Sequence, residues 1–284
     1  MELYIIDFDK QFQRHLSEWL SKNKENYEME EIEDMLPELY EKWSDTPAKW
    51  LDGETPDAYF KKFDDPVQLI KLMVRYTASD ISLPNPLLNR ISELKEKALE
   101  PLGDLFLGKI AIPKKADENE VKLLAVNLMN EIDSNYMQDA YIKALEDAKL
   151  DEGLAEAICE TLANNACNDM AEKILAQWDA ISVDAVKERY LDILVNVPGH
   201  DGIYKKLLDQ FVCTPEHKAL FASYLGKYGD DRAIETLQDA LDWPDINYLD
   251  YLEIRHAIEE LGEEVKHERV FDGDPYYESL KGVE

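Results

Sequence analysis

Three cysteines, five histidines and two pairs of aspartates are the residues of this 284-residue chain that could do chemistry by type. Their spacing argues against most of it. Cys159, Cys167 and Cys213 contain no C-x-x-C pair, so no thiolate metal site or redox dithiol is spelled out. Odd in number, they read as small core residues of a reduced cytoplasmic protein. His200, His217 and His256 lack ligand-type spacing, and His15, one helical turn before Trp19, reads as a packed surface histidine. Asp7 with Asp9, and Asp272 with Asp274, could hold a weak cation, but neither pair fits the calcium loop D-x-[DN]-x-[DN]-G. There is no Walker loop, no G-x-G-x-x-G and no G-x-S-x-G. The expectation is therefore no catalytic residue, no metal and no cofactor. An enzyme whose residues converge from separate helices stays open, because spacing along the chain is blind to it.

The charge limits the partners. Sixty-one Asp and Glu against 31 Lys and Arg leave a net charge of −30. Binding to nucleic acid or anionic lipid rests on neutralisation by Lys and Arg, so no nucleic acid and no membrane is expected. The charge could attract a basic protein; its plain use is solubility. Hydrophobic residues make up 45% of the chain, so it has the composition of a folded protein. The start, MELYIIDFDKQF, has no basic region before its short apolar run, and no window approaches the roughly 18 apolar residues of a membrane span. Both point to the cytoplasm.

The elements that must position any site read as helices throughout. Asp9 can cap a first helix with Phe12, Leu16, Trp19 and Leu20 inward. An acidic second segment, Glu28 to Trp43, carries Ile32, Met35, Leu36, Leu39 and Tyr40 as its stripe, and Pro37 should kink or restart it. Thr46-Pro47, Thr55-Pro56 and Asp65-Pro66 each fit an N-cap followed by proline. The last precedes VQLIKLMVRY, apolar on most sides and so expected in the middle of the packing. Asn85-Pro86 starts a helix that Pro101-Leu102-Gly103 should interrupt. GKIAIPKKAD, from Gly108 to Asp117, is the expected internal boundary. Beyond it, Asp117 with Glu120 makes a capping box, and further starts fit at Ser134, Asp151, Asn168, Ser182, Asp201, Thr214-Pro215 and Asp230. Hardly any run alternates as a strand would.

A repeat then emerges. Leu162, Leu194, Leu225 and Ile258 occupy matching places near the ends of successive helices, 32, 31 and 33 residues apart. A period of that length implies stacked helix pairs, each touching chiefly its neighbours. At the clearest junction, Leu220, Phe221, Tyr224 and Leu225 share one helix face. Gly226 and Gly229 should end that helix, Asp230 or Asp231 caps the next, with Ile234, Leu237 and Leu241 inward, and Pro244 stops it.

Leu225-Gly226-Lys227-Tyr228-Gly229-Asp230-Asp231-Arg232-Ala233-Ile234 resembles the junction of HEAT-like repeats, particularly the short bacterial form related to phycobilin lyase repeats. In that family L-G-x-h-G-D, with h apolar or aromatic, closes one unit and R-A-h opens the next. Ala240 to Asp245 resembles the family's A-L-x-D-P-D turn, with Trp243 in place of Asp. The tetratricopeptide pattern fits less well: Tyr228 stands two residues after Gly226 rather than three, and Pro244 four after Ala240 rather than five. The resemblance is sharp over about 220–262, looser over 117–219, and not demonstrable before 110. It implies an all-α fold, an α-α superhelix in which helix pairs stack antiparallel as a HEAT/armadillo-like solenoid. The expected parts are an irregular helical region over 1–110, repeats over 117–264 and a capping or docking tail over 265–284, together expected as one continuous structural unit. It also implies Arg255 as a bridge between adjacent turns. HEAT-like deoxyhypusine hydroxylases carry several His-Glu pairs for two irons, and this chain has one, His267-Glu268. HEAT-like DNA glycosylases need a basic groove, which the charge opposes.

What remains is an interaction module that presents an acidic helical surface to another protein. The alternatives are the enzyme just described and an acidic mimic of nucleic acid that binds a basic protein. Trp43, Trp50, Tyr59 and Phe60 are the candidate partner-binding residues. Aromatic side chains on irregular backbone serve either as a plug over the first helices or as anchors for a partner. At the other end, Phe271, Tyr276, Tyr277 and Leu280 could fold back over Ile254 and Ile258 or stay free to dock.

Overall fold

The computed structural model describes residues 3–23, 27–266 and 268–281. Those residues form fifteen α-helices joined by turns and short 3-10 segments, and no strand, so the chain is all-α. No helix among them is long and apolar enough to cross a membrane. They divide into two compact units. The first takes residues up to Gln138 together with Asp151–Ala157, and the second takes Asp139–Leu150 and everything from Ile158 onward.

The first unit contains α1 (Phe8–Asn23), α2 (Met29–Ser44), α3 (Pro66–Thr77), α4 (Asn85–Glu93), α5 (Glu96–Phe106) and α6 (Glu118–Asp133). Asp7, not Asp9, caps α1, accepting from the Lys10 N–H at 2.8 Å. Pro37 lies inside an unbroken α2. Thr46 closes that helix rather than opening another, donating its hydroxyl to the Lys42 carbonyl at 2.6 Å. Asp65 behaves as expected, capping α3 by accepting from the N–H groups of Val67 and Gln68. Leu69, Ile70, Leu72, Met73, Val74 and Tyr76 bury most of α3's circumference. Its Tyr76 hydroxyl accepts from the Ile6 N–H at 2.9 Å and donates to the Ile6 carbonyl at 3.0 Å, which fastens the chain entering α1.

Two expected breaks are displaced. Pro101 and Gly103 sit within a continuous α5, and the chain turns earlier, at Lys95, whose φ is +51°. Gly103 serves packing instead, since a Cβ there would lie 3.2 Å from Met137 Sδ. The segment 108–117, expected as an internal boundary, lies inside the first unit as the connection between α5 and α6, which pack on each other. Asp117 caps α6 through the N–H groups of Asn119 and Glu120.

The helices that follow are α7 (Gln138–Leu145), α8 (Glu152–Asn164), α9 (Asn168–Gln177), α10 (Asp184–Leu194), α11 (Asp201–Cys213), α12 (Lys218–Tyr228), α13 (Ile234–Ala240), α14 (Tyr248–Glu260) and α15 (Pro275–Lys281). Ser134 ends α6 rather than starting α7. The four aligned positions Leu162, Leu194, Leu225 and Ile258 are all fully buried. Gly229 ends α12 as expected, with φ +77° and its N–H bonded to the carbonyls of Leu225 and Gly226. Gly226 does not end it. It lies within α12 where that helix meets α14, and a Cβ on it would come 2.9 Å from Ala257 Cα.

Polar contacts join elements of the second unit that lie about thirty residues apart in the chain. Tyr224 Oη donates to Asp192 Oδ1 at 2.7 Å, Arg232 Nη1 to Asp201 Oδ1 at 2.8 Å, and the Ala219 N–H to Asp250 Oδ1 at 3.2 Å, spanning 32, 31 and 31 residues. Tyr228 Oη accepts from the His200 N–H and donates to the His200 carbonyl across 28 residues.

The tail folds back on α14, with its aromatic rings over Tyr248 and Tyr251. Phe271 is buried, its ring 5.4 Å from Tyr248 and 5.2 Å from Tyr251 between centroids, and Tyr277 lies 4.8 Å from Tyr248. Arg269 Nη1 donates to the carbonyls of Leu241 and Trp243. Tyr276 and Leu280 stay exposed. Deleting 268–284 should therefore destabilise the protein by roughly 3 kcal/mol, the scale of losing one large buried aromatic. The melting temperature would fall by about 5 °C. An unchanged melting curve would make the tail a free segment.

Candidate functional site

The four aromatic residues marked in the sequence converge on α1. Trp43, at the end of α2, is buried against Phe12, with ring centroids 5.3 Å apart. Phe60 is fully buried and packs on Phe8 at 5.9 Å, with Tyr59 half-buried beside it at 6.2 Å from the same ring. Trp50 meets Phe8 edge-on at 5.8 Å yet remains 40% exposed. It stands on a single 3-10 turn, Lys49–Leu51, which Asp52 (φ +55°) and Gly53 (φ +91°) reverse. The turn is closed by the Ala48 N–H on the Glu54 carbonyl at 2.9 Å. Three of the four side chains thus seal the first helices, and Trp50 offers an indole edge on a fixed turn. Burial, with Asp52 nearby, raises the Tyr59 hydroxyl above its ordinary pKa.

The groups that could do chemistry stay apart. No three His, Cys, Asp or Glu side chains are gathered as a metal site among the described residues. His200 Nε2 lies 3.0 Å from Glu172 Oε1 beside a depression of about 650 Å³ that Asp201 and Asn168 also line. Its Nδ1 is buried without a hydrogen-bond partner, and its ring covers the backbone of Gly202. With its own N–H and C=O both held by Tyr228, His200 acts as the corner where α11 begins. His256 faces Glu260 one turn along α14, at 3.6 Å.

Cys159 is half-buried, its thiol 3.8 Å from the Arg189 carbonyl, while Cys167 and Cys213 are exposed rather than core residues. Asp274 is a cap: the N–H groups of Tyr248, Tyr277 and Tyr276 bind its carboxylate and lower its pKa. His267, half of the one His-Glu pair, lies outside the described residues.

The residues that sequence reasoning missed are cations that tie turns together. Arg255, expected to bridge adjacent turns, pairs among the described residues with Glu259 on its own helix, at 3.1 Å. Arg189 does bridge, donating to the carbonyls of Leu145, Asp147 and Leu150. Arg232 holds Asp230 and Asp201 while its guanidinium stacks 4.0 Å from the Tyr204 ring centroid. Lys218 is 2% exposed, with Nζ 4.4 Å from the Trp243 ring centroid and 4.0 Å from Asp245. Asp250 is the one buried carboxylate among the described residues, so the other carboxylates face outward or partly so.

Compared with known proteins, the chain matches no protein-family model, no curated protein and no solved structure.

Proposed function

We propose that this protein is a non-enzymatic interaction module, built in its second half from HEAT-like repeats and docking another protein in a cytoplasmic setting. The observation that carries the reading is Trp50. A tryptophan left 40% exposed on a closed turn, backed by buried aromatic rings, has the rigid apolar area that interface anchors use. The polar groups favour the same reading, because the arginines and tyrosines join turns of the fold instead of gathering around a reacting centre. The outward carboxylates keep the chain soluble and would speed encounter with a basic partner.

The test is capture of native partners on immobilised protein, comparing wild type with Trp50→Ala. The substitution should leave folding intact, since it removes one half-exposed ring contact worth about 1 kcal/mol. It should weaken capture by about 30-fold, the scale of losing an interface hot spot. Unfolding of the variant would return Trp50 to the core, and unchanged capture would end the anchor reading.

A further inference from the structure

A groove of about 660 Å³ runs along α3 and α5 under the connection 108–117. Val67, Val74, Pro101 and Ile110 give it an apolar lining. Its charges oppose those of the rest of the molecule. Lys71, Arg75 and Lys109 line it, with Glu100 and Asp104 as its carboxylates. Lys109 pairs with Asp104 at 2.8 Å, and Arg75 gives one N–H to the Leu3 carbonyl at 3.0 Å. Lys71 is exposed and has no partner among the described residues. From Leu107 to Ala116 the connection carries Lys109, Lys114 and Lys115 and no acidic residue, in a chain with nearly two acids per base.

The wall of the groove has unused hydrogen-bonding groups. Neither the N–H nor the C=O of Ala111, which lines it, or of the next residue, Ile112, has a partner among the described residues. Pro113 biases Ile112 toward extended backbone. An extended chain laid beside Ala111 and Ile112 can pair with those groups while its side chains alternate between the apolar lining and the lysines.

We propose that this groove binds an acidic, extended peptide segment bearing apolar side chains, supplied by another protein. The proposal rests on the reading of the chain as an interaction module but places a second docking surface away from Trp50. Charge complementarity selects the occupant. A protein of net charge −30 favours basic peptides everywhere except where its cations cluster, so preference for an acidic peptide can only arise locally.

The experiment is selection of random short peptides displayed on phage against the full immobilised chain, followed by polarisation binding of the enriched peptides. Asp and Glu alternating with Leu, Ile or Phe should be enriched. The triple variant Lys71→Glu, Lys114→Glu, Lys115→Glu alters exposed positions and should keep the wild-type melting temperature. It should bind those peptides at least about tenfold more weakly, as loss of several attractive charges implies. Trp50→Ala should bind them as wild type does, so failure of the groove and failure of the Trp50 reading are separable. Enrichment of Lys- and Arg-rich peptides would overturn the proposal, as would binding indifferent to the triple variant. Equal binding of acidic peptides without apolar residues would reduce the groove to a general anion site and overturn it too. Peptides matching this chain's own acidic segments, with dimers in solution, would replace the partner with a second copy.

Discussion

Raising the pH from about 10 to about 12 should unfold this protein through its tyrosines. Tyr76, Tyr141, Tyr190 and Tyr224 are buried. Burial pushes Tyr76 and Tyr190 up to about 12, and raises Tyr141 as well. Tyr224 is raised by burial and then by Asp192, whose carboxylate accepts its proton at 2.7 Å and opposes a second negative charge. In the unfolded chain each phenol ionises near pH 10. Their contribution to stability is therefore complete below about pH 10 and is lost as the pH climbs toward the folded values. For Tyr76 and Tyr190, holding the phenol neutral up to about pH 12 corresponds to roughly 2–3 kcal/mol each, a large part of the 5–15 kcal/mol typical of a folded protein.

Helical circular dichroism and tyrosinate absorbance, followed together, should change in one cooperative step. Tyr224→Phe should cost about 1 kcal/mol at neutral pH through the lost hydrogen bond, with the deficit shrinking as the pH rises. Full tyrosinate absorbance with the helices intact would show that these hydroxyls reach solvent in the folded protein.

The junction of α12 and α14 should be the most sensitive place in the second unit. Leu225→Ala removes a fully buried side chain and should cost roughly 2–5 kcal/mol. Gly226→Val should cost about 1–3 kcal/mol by overpacking, because the added atoms meet the Glu260 side chain, which can swing aside, and then Ala257 backbone, which cannot. Gly226→Ala separates packing from helix preference. Alanine gains up to about 1 kcal/mol of propensity inside a helix, yet its Cβ would come 2.9 Å from Ala257 Cα, so the variant should still melt below wild type. Gly229→Ala meets no atom within 4 Å and should suffer only the positive-φ penalty of about 1–2 kcal/mol. Melting temperatures unmoved by Leu225→Ala and Gly226→Val would mean that these helices do not meet there.

Helix preference and the main starting points were written locally. Asp65, Asp117 and Asp230 each lie within a few residues of the N–H groups they cap, so a short window holds both partners. Burial of Leu162, Leu194, Leu225 and Ile258 was legible for a similar reason, since each stands on the apolar stripe of its own helix. Local rules failed where a distant contact outweighed a local cost. Pro37 forfeits a backbone hydrogen bond but stays helical because Ile32, Leu39 and Trp43 bury the same face on both sides of it. Gly226 carries the signature of a helix end and is instead a point of close approach to α14.

The candidate sites divide in the same way. Trp43, Trp50, Tyr59 and Phe60 could be named as a group from their type and irregular setting, but burial of Phe60 and exposure of Trp50 depend on where Phe8 packs. The lysines of the 108–117 connection stand in plain view in the sequence, whereas Val67, Lys71 and Arg75 share a groove with one of them, Lys109, only because α3 lies beside α5. The sequence alone determined an all-α chain, its acidity and a period near 32 residues. Only the tertiary structure decided which arginine reaches which carbonyl, which glycine is a contact and which tryptophan keeps an open edge. The physical reason is range: caps and helical stripes act over about a turn or two, while these choices follow from packing between residues tens of positions apart.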